Sequence, residues 1–297
     1  MRTRILIASV AGLAAVAVTA VPASAITYGE PDAGEHPYVG LMLAYTWDDL
    51  NADNVMTDDE LFAAYRCTGT QMDADTFLTA GHCTYGADAV AIWFGDDLQD
   101  VRFAKDFVTF EEAIDQDSAL DAEAWSYDAI SHPEYDDSAF YLHDVGVVDS
   151  IVLADGTSFT TYGELPEEGY WDEQIATRTT DRDSYTTVGY GLQVSSPSQG
   201  FGRTTKADWL KLKAGGDLIG YRQFGGGKTN DAYVVLTNNA NTGGTCFGDS
   251  GGPTFIEGTD TVVAITSFSV NSTCSGTSGV YRIDTADDLA WLSKFID

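Results

Sequence analysis

An all-β fold closed by one C-terminal helix is what the 297-residue sequence predicts, and three observations carry the prediction. Short runs rich in β-branched and aromatic residues recur between turn residues. Thirty glycines against seven prolines suit a chain rich in loops between strands. Apolar residues at helical spacing are concentrated at the C-terminal end. In chain order, Tyr38-Val39-Gly40-Leu41-Met42-Leu43 reads as a strand, followed by Ala89-Val90-Ala91-Ile92-Trp93-Phe94. Tyr233-Val234-Val235-Leu236 and Thr261-Val262-Val263-Ala264-Ile265 read the same way. Thr285-Ala286-Asp287-Asp288 then resembles a capping box, and Leu289, Leu292, Phe295 and Ile296 follow at helical spacing. A helix over about 285–296 lying on the β core is expected. No repeat of solenoid length and no low-complexity linker interrupts the chain.

Composition excludes several partners. The chain carries 46 acidic and 15 basic side chains, a formal net charge of −31 and a pI near 4.1. Nucleic acid and anionic membrane surfaces need large basic patches, which so few Lys and Arg cannot build. Disorder is excluded as well, because 44% hydrophobic and 12% aromatic residues, six of them Trp, are ample for a packed core.

Arg2 and Arg4 precede an apolar run at 5–21, and Ala23-Ser24-Ala25 follows it. This is the pattern of a secretory signal peptide over 1–25. A membrane anchor is the alternative, but the run has Gly12 in its middle and ends in a cleavage site rather than a charged stop. Cleavage would remove two Arg and no acid, taking the net charge from −31 to −33. The mature chain, 26–297, is expected to be secreted and extracellular, with no membrane attachment. Export permits disulfides. Cys67, Cys83, Cys246 and Cys274 lack C-x-x-C spacing, which argues against a thiolate zinc site, and the residues alone leave three pairings open.

The strongest chemical signal is Gly248-Asp249-Ser250-Gly251-Gly252-Pro253. Glycines around a serine let backbone N–H groups approach a substrate carbonyl. The string also fits G-x-S-x-G, the strand-to-helix elbow of α/β-hydrolases. That fold needs its histidine after the serine, yet His36, His82, His132 and His143 all precede Ser250, so the elbow reading fails. A histidine upstream is required, and Leu78-Thr79-Ala80-Gly81-His82-Cys83 supplies one.

On these two segments the chain resembles the trypsin/chymotrypsin-like serine peptidases, whose T-A-A-H-C and G-D-S-G-G-P motifs they match. His143-Asp144-Val145-Gly146-Val147-Val148 resembles the family's D-I-A-L-L segment, and the similarity spans 26–297. The resemblance implies two antiparallel six-stranded β-barrels, about 26–160 and 161–285, followed by the helix. It implies Ser250 as nucleophile, His82 as general base and Asp144 as the group that orients the imidazole. Gly248 and Ser250 N–H groups would form the oxyanion hole. It pairs Cys67 with Cys83 and Cys246 with Cys274. It places Gly244 at the floor of the specificity pocket, where trypsins carry Asp, with Ser267, Ser269 and Gly279 around it. An apolar preference rather than Arg or Lys follows. Signal cleavage would free Ile26 to pair with Asp249, although Thr27 and Tyr28 depart from the family's Val and Gly. Polypeptide substrates and protein inhibitors are the implied partners, the chain acts as a monomer, and catalysis needs no cofactor. The alternative is a catalytically idle homologue serving as a secreted binding module. His36 and His132 precede proline in expected turns, and His143 is expected only as a loop neighbour of Asp144.

One acidic stretch stands apart. Laid on an EF-hand loop, Asp49, Asn51 and Asp53 take the first three oxygen positions, Val55 offers its carbonyl and Glu60 takes the bidentate twelfth. Calcium in this loop, with a helix starting at Leu61, is one reading. A solvated acidic insertion is the other. Asn271-Ser272-Thr273 also matches a glycosylation sequon.

Overall fold

The computed structural model describes residues 26–99, 109–115, 121–140, 142–197, 203–206, 208–221, 232–269 and 271–296. The segment read as a leader, 1–25, lies outside the described residues. Among the described residues no helix is long and apolar enough to cross a membrane.

Two antiparallel sheets make up the fold. The first runs, neighbour to neighbour, Asp128–Ser131, Gly146–Asp149, Phe77–Thr79, Leu61–Gln71, Val39–Trp47, Ala89–Trp93, Ala124–Ser126 and Val152–Leu153. The second runs Glu30–Pro31, Leu212–Gly216, Tyr185–Gly189, Pro253–Ile256, Val262–Ser269, Gly276–Arg282, Tyr233–Asn238 and Leu218–Tyr221. Six strands each are expected and eight are found among the described residues, because short edge pieces such as Val152–Leu153 and Glu30–Pro31 supply partners for otherwise open backbone groups. A separate two-stranded ladder pairs Val194–Pro197 with Arg203–Lys206.

The apolar runs become strands because both faces of many of them are covered. Val39 through Tyr45 are all buried, as are Ala89 through Trp93. One apolar cluster draws Val39, Met42, Phe77, Leu78 and Val147 from the first sheet against Val188, Tyr233, Phe255 and Ile265 from the second. Each such side chain contributes roughly 1.5–3 kcal/mol on burial, so the seam between the sheets is the fold's main anchor.

Two local expectations change. Leu61 starts a strand, Leu61–Gln71, rather than a helix, since it pairs with Trp47 across a hairpin whose register runs through Met42–Cys67 to Val39–Thr70. Helix Tyr170–Ala176, absent from the all-β reading, is held by buried Trp171, whose Nε1–H donates to Val263 O at 2.8 Å. The C-terminal helix spans Ala286–Leu292, with Thr285 Oγ1 accepting from Asp288 N and Trp291 and Leu292 buried.

Candidate active site

The site sits where the sheets meet. Helix Gly81–Thr84 follows strand Phe77–Thr79 and presents His82, and the Cys67–Cys83 disulfide ties it to the adjacent strand. Asp144 lies just before strand Gly146–Asp149, fully buried. His82 Nδ1 is 3.0 Å from both Asp144 carboxylate oxygens, and the His82 backbone N–H donates to Oδ1 at 2.9 Å. From the second sheet, Ser267 Oγ donates to Asp144 Oδ2 at 2.5 Å. A carboxylate only accepts, so it draws the imidazole proton to Nδ1 and leaves the Nε2 lone pair free. Burial pushes the His82 pKa down, but the Asp144 charge and hydrogen bond outweigh it and hold the imidazole above its ordinary value. Its side chain keeps 27% of its exposure, enough to meet a substrate.

Ser250 stands on a tight turn between Cys246 and strand Pro253–Ile256. Gly251 has φ 77°, and a Cβ there would lie 2.0 Å from Thr79 Oγ1, so only glycine lets the turn press onto the His82-bearing sheet. Thr68 N donates to Ser250 O at 2.8 Å across the same contact. Among the described residues no hydrogen bond joins Ser250 Oγ to His82. Gly248 has φ 97° and its Cα packs against the Arg66 guanidinium, which also lies 4.4 Å above the Trp209 ring.

Beside Ser250 opens a cavity of about 200 Å³, lined among others by Thr245, Phe247, Thr266, Ser267, Phe268 and Ser269. Among the described residues, no charged residue lines it. The Cys246–Cys274 disulfide braces its wall. Of the residues expected around the pocket, Ser267 and Ser269 line this cavity, and Gly244 and Gly279 are not among its lining residues. Gly244 exchanges backbone hydrogen bonds with Thr27, and the Asn238 side chain fills the space beside its Cα. Gly279 is covered by the Phe268 ring. Thr245, Phe247, Thr266 and Phe268 were not singled out by sequence. Strand alternation would have put Thr266 and Phe268 on one face, but a bulge between them breaks the period.

Asp249 is fully buried, accepting from Gly191 N at 2.7 Å and Cys246 N at 2.8 Å. Burial pushes its carboxyl up to about 7, against the lowering from those two N–H groups and the Arg66 charge. Ile26 is buried with Leu212 and Ala214, and its neighbour Thr27 bridges to Gly244. Among the described residues no hydrogen bond or ion pair joins Ile26 to Asp249.

The acidic loop is folded on itself. Asp49 accepts from Asp53 N and Asn54 N, Asn51 Oδ1 accepts from Asp53 N, and Asp53 Oδ1 accepts from Val55 N. Asn54 takes φ 59°, the left-handed conformation the loop pattern requires there. Carboxylate oxygens of Asp49, Asp53 and Glu60 all lie within 4.8 Å of one another. Glu60 is 4% exposed, and its Oε2 accepts from Thr57 Oγ1 and Trp47 Nε1.

Against known proteins, the family model described as Trypsin matches residues 53–291. No curated sequence matches the chain. Among solved structures, HL collagenase is 18% identical with a TM-score of 0.60, the alignment covering 91% of this chain and 97% of that one. Human heparin binding protein is 17% identical with a TM-score of 0.53, covering 91% and 96%. At such identities the likeness shows the fold.

Proposed function

Because the chain belongs to the trypsin family, we propose that it is a secreted serine endopeptidase working through Ser250, His82 and Asp144. One observation supports this reading: buried Asp144, on the first sheet, accepts from His82 Nδ1 and also from Ser267 Oγ of the second sheet, beside the cavity that Ser250 lines. Ser250 Oγ attacks the scissile carbonyl carbon as its proton passes to His82 Nε2. The resulting imidazolium is stabilised by Asp144, and Gly248 N–H and Ser250 N–H hold the oxyanion, each donor contributing about 3 kcal/mol. The proton then moves to the leaving amine, the C–N bond breaks, and an ester to Ser250 remains. Water, activated by His82, hydrolyses that ester and restores the serine.

Two features support an apolar preference. Among the described residues the cavity has no counter-ion for a cationic side chain, and Phe247 and Phe268 are among its lining residues. On a chromogenic peptide panel, small to medium apolar residues before the scissile bond should exceed Arg and Lys by roughly 100-fold in kcat/KM, since a buried cation would stay unpaired. Strict cleavage after Arg or Lys refutes the preference.

Activation follows from removal of 1–25. Asp249 carries a carboxyl held high by burial, and the new Ile26 ammonium would give it a cation and order the turn. N-terminal sequencing of active secreted protein should begin at Ile26, and any other start sinks this step. Calcium is the proposed occupant of the Asp49–Asn51–Asp53–Val55–Glu60 loop, where it serves stability and not chemistry. At calcium 100-fold above Kd the melting temperature should rise roughly 5–10 °C, and Glu60→Gln should remove most of that rise. No calcium effect on the parent dismisses it.

A second reading, an idle binding module, draws on the fold shared with human heparin binding protein. A heparin-like polyanion is a poor partner for a chain with 46 acidic and 15 basic residues.

A further inference from the structure

Behind the Asp144 loop lies a set of groups that the peptidase reaction does not use. His132 directly follows strand Asp128–Ser131, His143 immediately precedes Asp144, and Asp287 and Asp288 lie in the first turn of the C-terminal helix. We propose that His143 and Asp287, joined by His132 and with Asp288 within reach, bind one divalent transition-metal ion of the zinc class, which staples the C-terminal helix to the loop carrying Asp144.

The argument starts at His143. Its Nε2 is 3.3 Å from Glu134 Oε2, and a carboxylate that can only accept favours the ring proton on Nε2. Nδ1 is left with a lone pair, buried and without a hydrogen-bond partner, 3.8 Å from Asp287 Oδ2. A carboxylate holding one imidazole nitrogen while the other points at further ligands is the arrangement that orients histidine toward a metal. The His132 ring stacks on His143 at 4.7 Å and 11°, and His132 Nε2 lies 4.0 Å from the same Asp287 oxygen. Ligand atoms of His132, His143 and Asp288 also fall within 4.8 Å of one another, although the Asp288 carboxylate already accepts from Tyr281 Oη and Thr285 Oγ1.

Bonds of about 2.0–2.1 Å in a tetrahedron put ligand atoms roughly 3.3–3.4 Å apart. The two imidazole distances to Asp287 are therefore roughly half an ångström too long, and the Asp287 side chain, 66% exposed, has room to close them. His132 Nδ1 accepts from Glu134 N at 3.2 Å, so it must release that amide before Nε2 can coordinate. It is the weaker ligand of the two. His143 is also held at φ 53°, a conformation that Asn tolerates well, which makes His143→Asn a mild replacement for the backbone.

The test is equilibrium dialysis of the full chain against micromolar ZnCl2, with Co2+ visible absorption as a second readout. One ion per chain and the spectrum of tetrahedral Co2+ are expected. His143→Asn and Asp287→Asn should each weaken uptake at least about 10-fold, Glu134→Gln about 10-fold, and His132→Ala less than His143→Asn. Asp287 is exposed, so its variant remains informative if His143→Asn fails to fold. Failure to bind Zn2+, uptake unchanged in both His143→Asn and Asp287→Asn, or uptake abolished instead by His82→Ala or Glu60→Gln overturns the proposal.

Discussion

Replacing Ser250 by alanine is expected to lower kcat/KM for peptide hydrolysis by about 10⁴- to 10⁶-fold while leaving the melting temperature nearly unchanged. The size follows from losing the covalent step, since a water must then attack the carbonyl without a positioned alkoxide. The stability expectation follows from packing. Ser250 is only partly buried, and its one cross-sheet bond uses the backbone carbonyl, which alanine keeps. His82→Ala should cost about as much, and the double variant little more than either single one, because the two side chains act as a unit. Additive losses in the double variant would mean they do not serve the same step. Active-site titration followed by initial rates on one apolar peptide measures all three.

Asp144→Asn is the second large effect, about 10⁴-fold in kcat. An amide presents N–H as well as C=O, so it no longer selects the Nδ1–H tautomer that leaves Nε2 free. The pH profile distinguishes this from a packing defect. In the parent, Asp144 holds the His82 pKa above its usual 6.5, and activity requires the neutral imidazole. The acid limb of kcat/KM should therefore lie above pH 6.5, with activity rising as pH rises through the shifted value. In the Asn variant the attraction is gone while burial, which lowers the pKa, remains, so the limb should move to lower pH. The same raised pKa means the His82–Asp144 pair adds stability fully below pH 6.5 and loses it as pH climbs through the folded value. An acid limb that does not move would place the titrating group elsewhere.

Much of the arrangement was legible because its signals are local. The turn around Ser250 needs glycine at 251 for contact with Thr79, and that need is written in six consecutive residues. The cysteine pairs of the resemblance, 67 with 83 and 246 with 274, are those the fold closes. What was illegible depends on partners distant in the chain. Leu61 reads as a helix start after an acidic loop, yet its hairpin partner Trp47 makes it a strand. Gly244 aligns with a pocket floor, but Thr27 and Asn238 claim both its sides, and Thr245 lines the cavity instead. His132 and His143 look bland singly. Their meaning depends on Asp287, which the fold brings against them from the far end of the sequence.

The most direct test of the central claim is covalent labelling with a fluorophosphonate probe followed by peptide mass spectrometry. Ser250 should carry the label in the parent, with labelling lost in Ser250→Ala and slowed by several orders of magnitude in His82→Ala. A correctly folded parent that takes no label, or takes it at another serine, would contradict the account and leave the binding-module reading standing.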